Sequence, residues 1–118
     1  MQMWDLYPFP CIHVFTSRKK ARKFIKRKTG LKLDWIGKSA QTDYYRKAGE
    51  ESLAVVTLNC GGATFEQKVA IVAHECSHIV DSWLKDIGED SPGEEVRAYA
   101  IQCAILTCLD QIDPKWLR

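Results

Sequence analysis

A chain of 118 residues carrying a net charge of +2 is long enough for one hydrophobic core and too short for two. Residues 1–118 are therefore expected to form a single compact domain that supplies both scaffold and site. No stretch nears the roughly 18 uninterrupted apolar residues of a membrane helix, and the N-terminus lacks a basic region followed by an apolar run and a small-residue cleavage site, so a soluble, cytoplasmic protein without a membrane partner is expected.

Pro8 and Pro10 precede Cys11–Thr16, a β-rich run that reads as a first strand. Ser17 then caps a helix that Gly30 stops. Arg18, Lys19, Lys20, Arg22, Lys23, Lys26, Arg27 and Lys28 crowd this helix and leave mainly Ala21, Phe24 and Ile25 for burial. Such a segment either forms a solvated outer helix on a sheet or meets an acidic protein or a nucleic acid. The charge is divided along the chain: residues 1–59 hold 12 Lys or Arg against 5 Asp or Glu, and residues 60–118 hold 5 against 10.

Trp35 is the expected buried anchor of the ambiguous stretch Leu31–Ile36. Gln41–Arg46 and Ser52–Leu58 read as two strands of a hairpin, joined by a turn over Lys47–Glu51 that contains Gly49. If Leu53–Leu58 were an edge, it could pair with an extended peptide. Thr64, followed at three residues by Gln67, gives the capping-box start of a long helix ending near Gly88. Ser91 or Pro92 opens a last helix with Val96, Ala100, Cys103, Ala104 and Thr107 inward, and Trp116 and Leu117 are candidates to tie down the tail. A small sheet and about three helices follow, an α+β fold. The five cysteines (Cys11, Cys60, Cys76, Cys103, Cys108) are an odd set with no C-x-x-C pair, which argues for free thiols.

Within the long helix, Ile71, Val72, Cys76, Ile79 and Val80 recur at core spacing while His74 and His78 stand one turn apart on another side. Two imidazoles so placed can converge on one Zn²⁺, and Glu75 is offset so that its carboxylate reaches the water such an ion activates. This is the H-E-x-x-H pattern. A catalytic zinc usually has a third protein ligand. His13, on the first strand, is more easily structural. Asp81 lies seven residues, about 10.5 Å of rise, from His74 and is better placed beside the site than in it. Glu94 and Glu95, opening the next helix, are the better candidates, although carboxylates in a first turn are also favoured by the helix dipole.

His74-Glu-Cys-Ser-His78 followed by Glu95-Val-Arg-Ala98 resembles the gluzincins, and in particular short metallopeptidase-like proteins encoded by bacteriophages, which combine an H-E-x-x-H helix with a downstream Glu-x-x-Ala helix. The resemblance covers roughly half the chain, from Leu53 through both helices. It implies a minimal zincin-like domain, Zn²⁺ held by His74, His78 and Glu95, Glu75 as general base, and a peptide or protein substrate. Glu94 stays a rival to Glu95. Tyr99, four residues beyond Glu95 and so on the same helix side, can donate to a developing oxyanion or pack between helices. The chain has no counterpart of the C-terminal subdomain of larger gluzincins, which argues against broad endopeptidase activity. The alternative is a non-catalytic, zinc-containing module that binds a host protein or nucleic acid through helix 18–28.

Overall fold

The computed structural model describes residues 9–37, 39–46, 50–89 and 93–118. Pro8, most of the expected turn with Gly49, and the expected helix openers Ser91 and Pro92 lie outside the described residues. Three strands, β1 (Cys11–Phe15), β2 (Ala40–Tyr45) and β3 (Leu53–Leu58), form a sheet in the order β1-β3-β2. β3 runs parallel to β1 and antiparallel to β2, with Val56 facing both Val14 and Thr42 in register.

The apolar run Leu-Ala-Val-Val-Thr-Leu makes β3 the central strand, because a strand without polar alternation needs cover on both faces. Ala54, Val56 and Leu58 join one core with Ile12, while Val55 joins another on the opposite face. The condition for strand addition at β3 is not met: it is paired on both sides and has no free rim for a peptide.

Helix α1 (Arg18–Thr29) covers the second face. Ser17 Oγ accepts from Lys20 N at its start, and Gly30, at φ 76°, ends it in a left-handed conformation that a side chain would strain. Ala21, Phe24 and Ile25 are buried against Val55 and Leu33. The first face is covered by α2 (Phe65–Asp86) and α3 (Glu94–Gln111), with the short α4 (Pro114–Leu117) against α2. The described residues thus contain four helices, one more than expected, in an α+β arrangement.

The capping box at the start of α2 is complete: Thr64 Oγ1 accepts from Gln67 N at 3.1 Å, and Gln67 Oε1 accepts from Thr64 N at 3.0 Å. Thr64→Ala is expected to cost about 1 kcal/mol of stability, read by urea denaturation. Val72, Cys76, Ile79, Val80 and Trp83, none more than 1 % exposed, then fix the rotation of α2. On α3 the inward stripe is Ala100, Ala104 and Cys108, with Val96 and Cys103 only half-buried and Thr107 exposed. The stripe differs from the expected one because these small residues, four apart, are what let α3 approach α2 closely. Cys108 Sγ there comes within 3.6 Å of Cys76 Sγ.

Side chains complete the frame. Gln111, at the end of α3, turns its amide onto the free edge of β1, accepting from Val14 N at 3.0 Å and donating to Ile12 O at 2.6 Å. Asp86 gathers Tyr44 Oη, Arg46 Nη1 and Ser52 Oγ at 3.1, 2.6 and 3.2 Å, fastening the hairpin to the end of α2. Lys68, although buried, donates to Trp116 O and sits over its ring, so the tail is tied down.

Candidate metal centre

The rotation imposed by the core leaves His74 and His78 exposed on α2 and turns the neighbouring Glu75 toward β2. The imidazoles meet edge to face, with ring centroids 4.8 Å apart and planes at 83°. Their Nε2 atoms are 3.1 Å apart. Two imidazole nitrogens at that distance face each other favourably only when a proton or a cation lies between their lone pairs. Two ligands of a tetrahedral ion with bonds of about 2.1 Å would stand about 3.4 Å apart, so the observed spacing fits a metal with little adjustment. One ligand atom from each of His74, Glu75 and His78 falls within a 4.8 Å group, the cluster among the described residues that can hold a metal ion.

Glu75 is only 6 % exposed, and its two oxygens have different neighbours. Oε1 accepts from Thr42 Oγ1 at 2.8 Å, whereas Oε2 lies 4.0 Å from His74 Nε2. Thr42 thus holds one oxygen on the sheet side and leaves the other facing the imidazole pair. Replacing Thr42 by Val keeps the shape and removes the donor; we expect a loss of roughly tenfold in any kcat supported by Glu75, with bound-metal content unchanged and activity restored by Thr42→Ser, measured by steady-state kinetics and metal analysis.

A cleft of about 360 Å³ opens over this cluster, lined by Ile36, Gly37, Ala40, Gln41, Thr42, His74, Glu75, His78 and Ser82. Its far wall is built by Gln41, a buried amide: Oε1 accepts from Ile36 N and Gly37 N, both at 2.8 Å, and Nε2 donates to Asp34 O at 3.0 Å and to the Asp43 carboxylate. Burial pushes the Asp43 carboxyl above its usual range, and the Gln41 bond opposes this. A side chain at position 37 would collide with the Ala40 carbonyl, so only glycine allows the loop to lie this close to β2. The clamp holds Ile36 out at the rim, 82 % exposed. Nearby, Trp35 is half-buried beneath the Arg18 guanidinium, 4.6 Å from its ring centroid.

The remaining expected site residues are distributed as follows. Glu94 and Glu95 are exposed on the first turn of α3, and Tyr99 is 48 % exposed one turn further on. Neither glutamate belongs to the three-residue group. An ion pair between Arg97 and Asp81 fastens that end of α3 beside α2, one turn beyond His78. His13 lies on the other face of the sheet, 4.5 Å from the Phe24 ring by centroids, away from the cluster. Thr42, Gln41 and the 34–37 loop are the residues that sequence reading did not assign to the site. Only the two-residue alternation placing Ala40, Thr42 and Tyr44 on one strand face could have hinted at Thr42.

A larger recess of about 660 Å³ lies near the C-terminal end of α1, lined among others by Cys11, His13, Lys28, Tyr45 and Glu51. Cys11 Sγ and His13 Nε2 are 3.3 Å apart there. Burial, with the Glu51 carboxylate, pushes the Cys11 thiol up against the opposing Lys28, and burial with Lys28 pushes His13 down. Both shifts disfavour the thiolate–imidazolium charge separation of an activated nucleophile. Volume favours this recess, but ligand chemistry favours the cleft over α2. No protein-family model, curated protein or solved structure matches the chain.

Proposed function

We propose that the protein is a zinc-dependent peptidase of gluzincin type that hydrolyses peptide bonds in the cleft over α2. The observation that carries this reading is the unequal treatment of the Glu75 carboxylate, with one oxygen held by Thr42 and the other turned toward two converging imidazoles. His74 and His78 would hold the zinc, which when bound supplies a Lewis acid for the scissile carbonyl and its attacking water. We assign Glu95 as the third ligand. The Arg97–Asp81 pair supports the assignment by fastening the first turn of α3 next to α2, and Glu94 is its rival.

Glu75 takes a proton from the attacking water on its free oxygen and returns it to the leaving amine, so neither histidine has to act as a base. Thr42 keeps the carboxylate aimed throughout. Tyr99 donates its hydroxyl to the oxyanion. An extended peptide or protein segment lies beside β2, the edge strand that contributes Ala40, Gln41 and Thr42 to the cleft. Ile36, exposed at the rim, gives that segment an apolar contact.

No helix among the described residues is long and apolar enough to cross a membrane. All five cysteines are free, and Cys76 and Cys108 are buried within 3.6 Å of each other as thiols, which favours a reducing compartment such as the cytoplasm. The cationic face of α1 takes no part in this chemistry; a polyanion, acidic protein or nucleic acid, is the partner that matches it. Digestion of a peptide library by the zinc-loaded protein and by its Glu75→Gln variant, read by mass spectrometry, tests the reading. Cleavage only by the unmodified protein supports it, and equal cleavage by both removes Glu75 from the mechanism.

A further inference from the structure

Helix α1 uses one periodicity twice. Ala21, Phe24 and Ile25 face the sheet, and Lys19, Arg22, Lys23, Lys26 and Arg27 repeat at three- and four-residue spacing on the opposite, exposed side. Helix stability accounts for only part of this stripe: Lys26 and Arg27 lie in the last turn, where the dipole favours cations, but Lys19, Arg22 and Lys23 do not. Lys19 lies in the first turn, which contains no acidic residue and where the helix dipole disfavours cations. The pairs Lys19–Lys23, Arg22–Lys26 and Lys23–Arg27 set like charges four residues apart, an arrangement that destabilises a helix. Among the described residues, no carboxylate forms an ion pair with any of the five. Among the described residues, Lys26 donates to Gly30 O at 2.9 Å and the Arg27 guanidinium lies 5.6 Å from the Phe24 ring centroid, and the other three cations have no such contact.

We infer that α1 docks along the phosphate backbone of double-stranded nucleic acid through this five-cation stripe. Its 12 residues extend about 18 Å, a length over which a duplex presents roughly ten phosphate charges. Three other occupants fit less well. A membrane surface would need an apolar face to sink into, and that of α1 is sealed against the sheet, with Ala21 and Ile25 at 0 % exposure. A single strand would need stacking aromatics, and the stripe has none, since Phe24 is buried and Trp35 lies under Arg18. An acidic protein would need apolar anchors among the charges, because lysine is depleted in interface cores. The surface lies across the sheet from His74 and His78, so the inference stands whether or not the metal centre is catalytic.

The test is fluorescence anisotropy of the full-length protein with fluorescein-labelled 20-base-pair DNA and RNA duplexes, the matching single strands, polyglutamate as competitor, and vesicles of phosphatidylglycerol in phosphatidylcholine. The variant carries Lys19→Gln, Arg22→Gln, Lys23→Gln and Arg27→Gln, leaving the Lys26 bond in place, with helix content followed by circular dichroism. With four to five phosphates neutralised, duplex binding by the unmodified protein should weaken on the order of 10²-fold between 50 and 200 mM NaCl. The folded variant should bind at least about tenfold more weakly at 50 mM, with a correspondingly shallower salt dependence. Binding of either duplex in this pattern supports the inference. Absence of duplex binding at 50 mM NaCl, equal binding by the folded variant, or preference for single strand, polyglutamate or vesicles overturns it.

Discussion

Glu75→Gln should leave the protein folded and loaded with zinc while lowering peptide cleavage by roughly 10² to 10⁴-fold, the usual contribution of a positioned general base. Glutamine has nearly the volume of glutamate, so no cavity opens in the wall that α2 presents to β2. It can also still accept from Thr42 Oγ1, which preserves the 2.8 Å contact that fixes the side chain. What it cannot do is accept a proton on the oxygen nearer His74. Separate measurement of metal content and turnover is therefore decisive: loss of both would recast Glu75 as a ligand, in keeping with its place in the three-residue cluster, and loss of turnover alone identifies it as the base.

His74→Ala and His78→Ala should each weaken zinc binding by more than the roughly 10 to 100-fold typical of losing a group that merely supports a ligand. Each removes one of the two nitrogens whose 3.1 Å approach makes the site fit a metal. Both residues are exposed, so the substitutions should leave the core, and hence the thermal unfolding of the metal-free protein, nearly unchanged. Competition against a chromophoric chelator gives the affinities. The same titration applied to Glu95→Gln and Glu94→Gln identifies the third ligand, because losing a coordinating carboxylate costs far more than losing a charge at a helix terminus. An undiminished affinity in the His74→Ala, His78→Ala double variant would remove the metal centre altogether.

The parts of this protein that could be read in advance are those decided by neighbours in the chain. Thr64 and Gln67 announce the start of α2 because a capping box closes within four residues. His74 and His78 converge because a helix brings residues four apart together, whatever surrounds it. Ser17 and Gly30 bound α1 for equally local reasons. Thr42 could not be recognised in this way: its partner is 33 residues away, and a strand pattern says which residues share a face without saying which helix they meet. The inward stripe of α3 is shifted to Cys108 for a related reason, since its rotation is set by the closest approach to α2 and not by its own hydrophobicity. Glu94 and Glu95 are the intermediate case. The sequence puts both on one helical turn, and only tertiary geometry can choose between them.

The amide of Gln111 has an effect on how this sheet meets other chains. A three-stranded sheet has two rims, and each exposes backbone groups able to recruit another strand. By occupying Val14 N and Ile12 O, Gln111 closes one of them. Strand addition, whether of an incoming peptide or of a second copy, is thereby directed to the rim of β2, which borders the cleft. Self-association through the sheet and turnover would compete for the same backbone, so a population that oligomerised in this way would idle at high concentration and recover its activity on dilution.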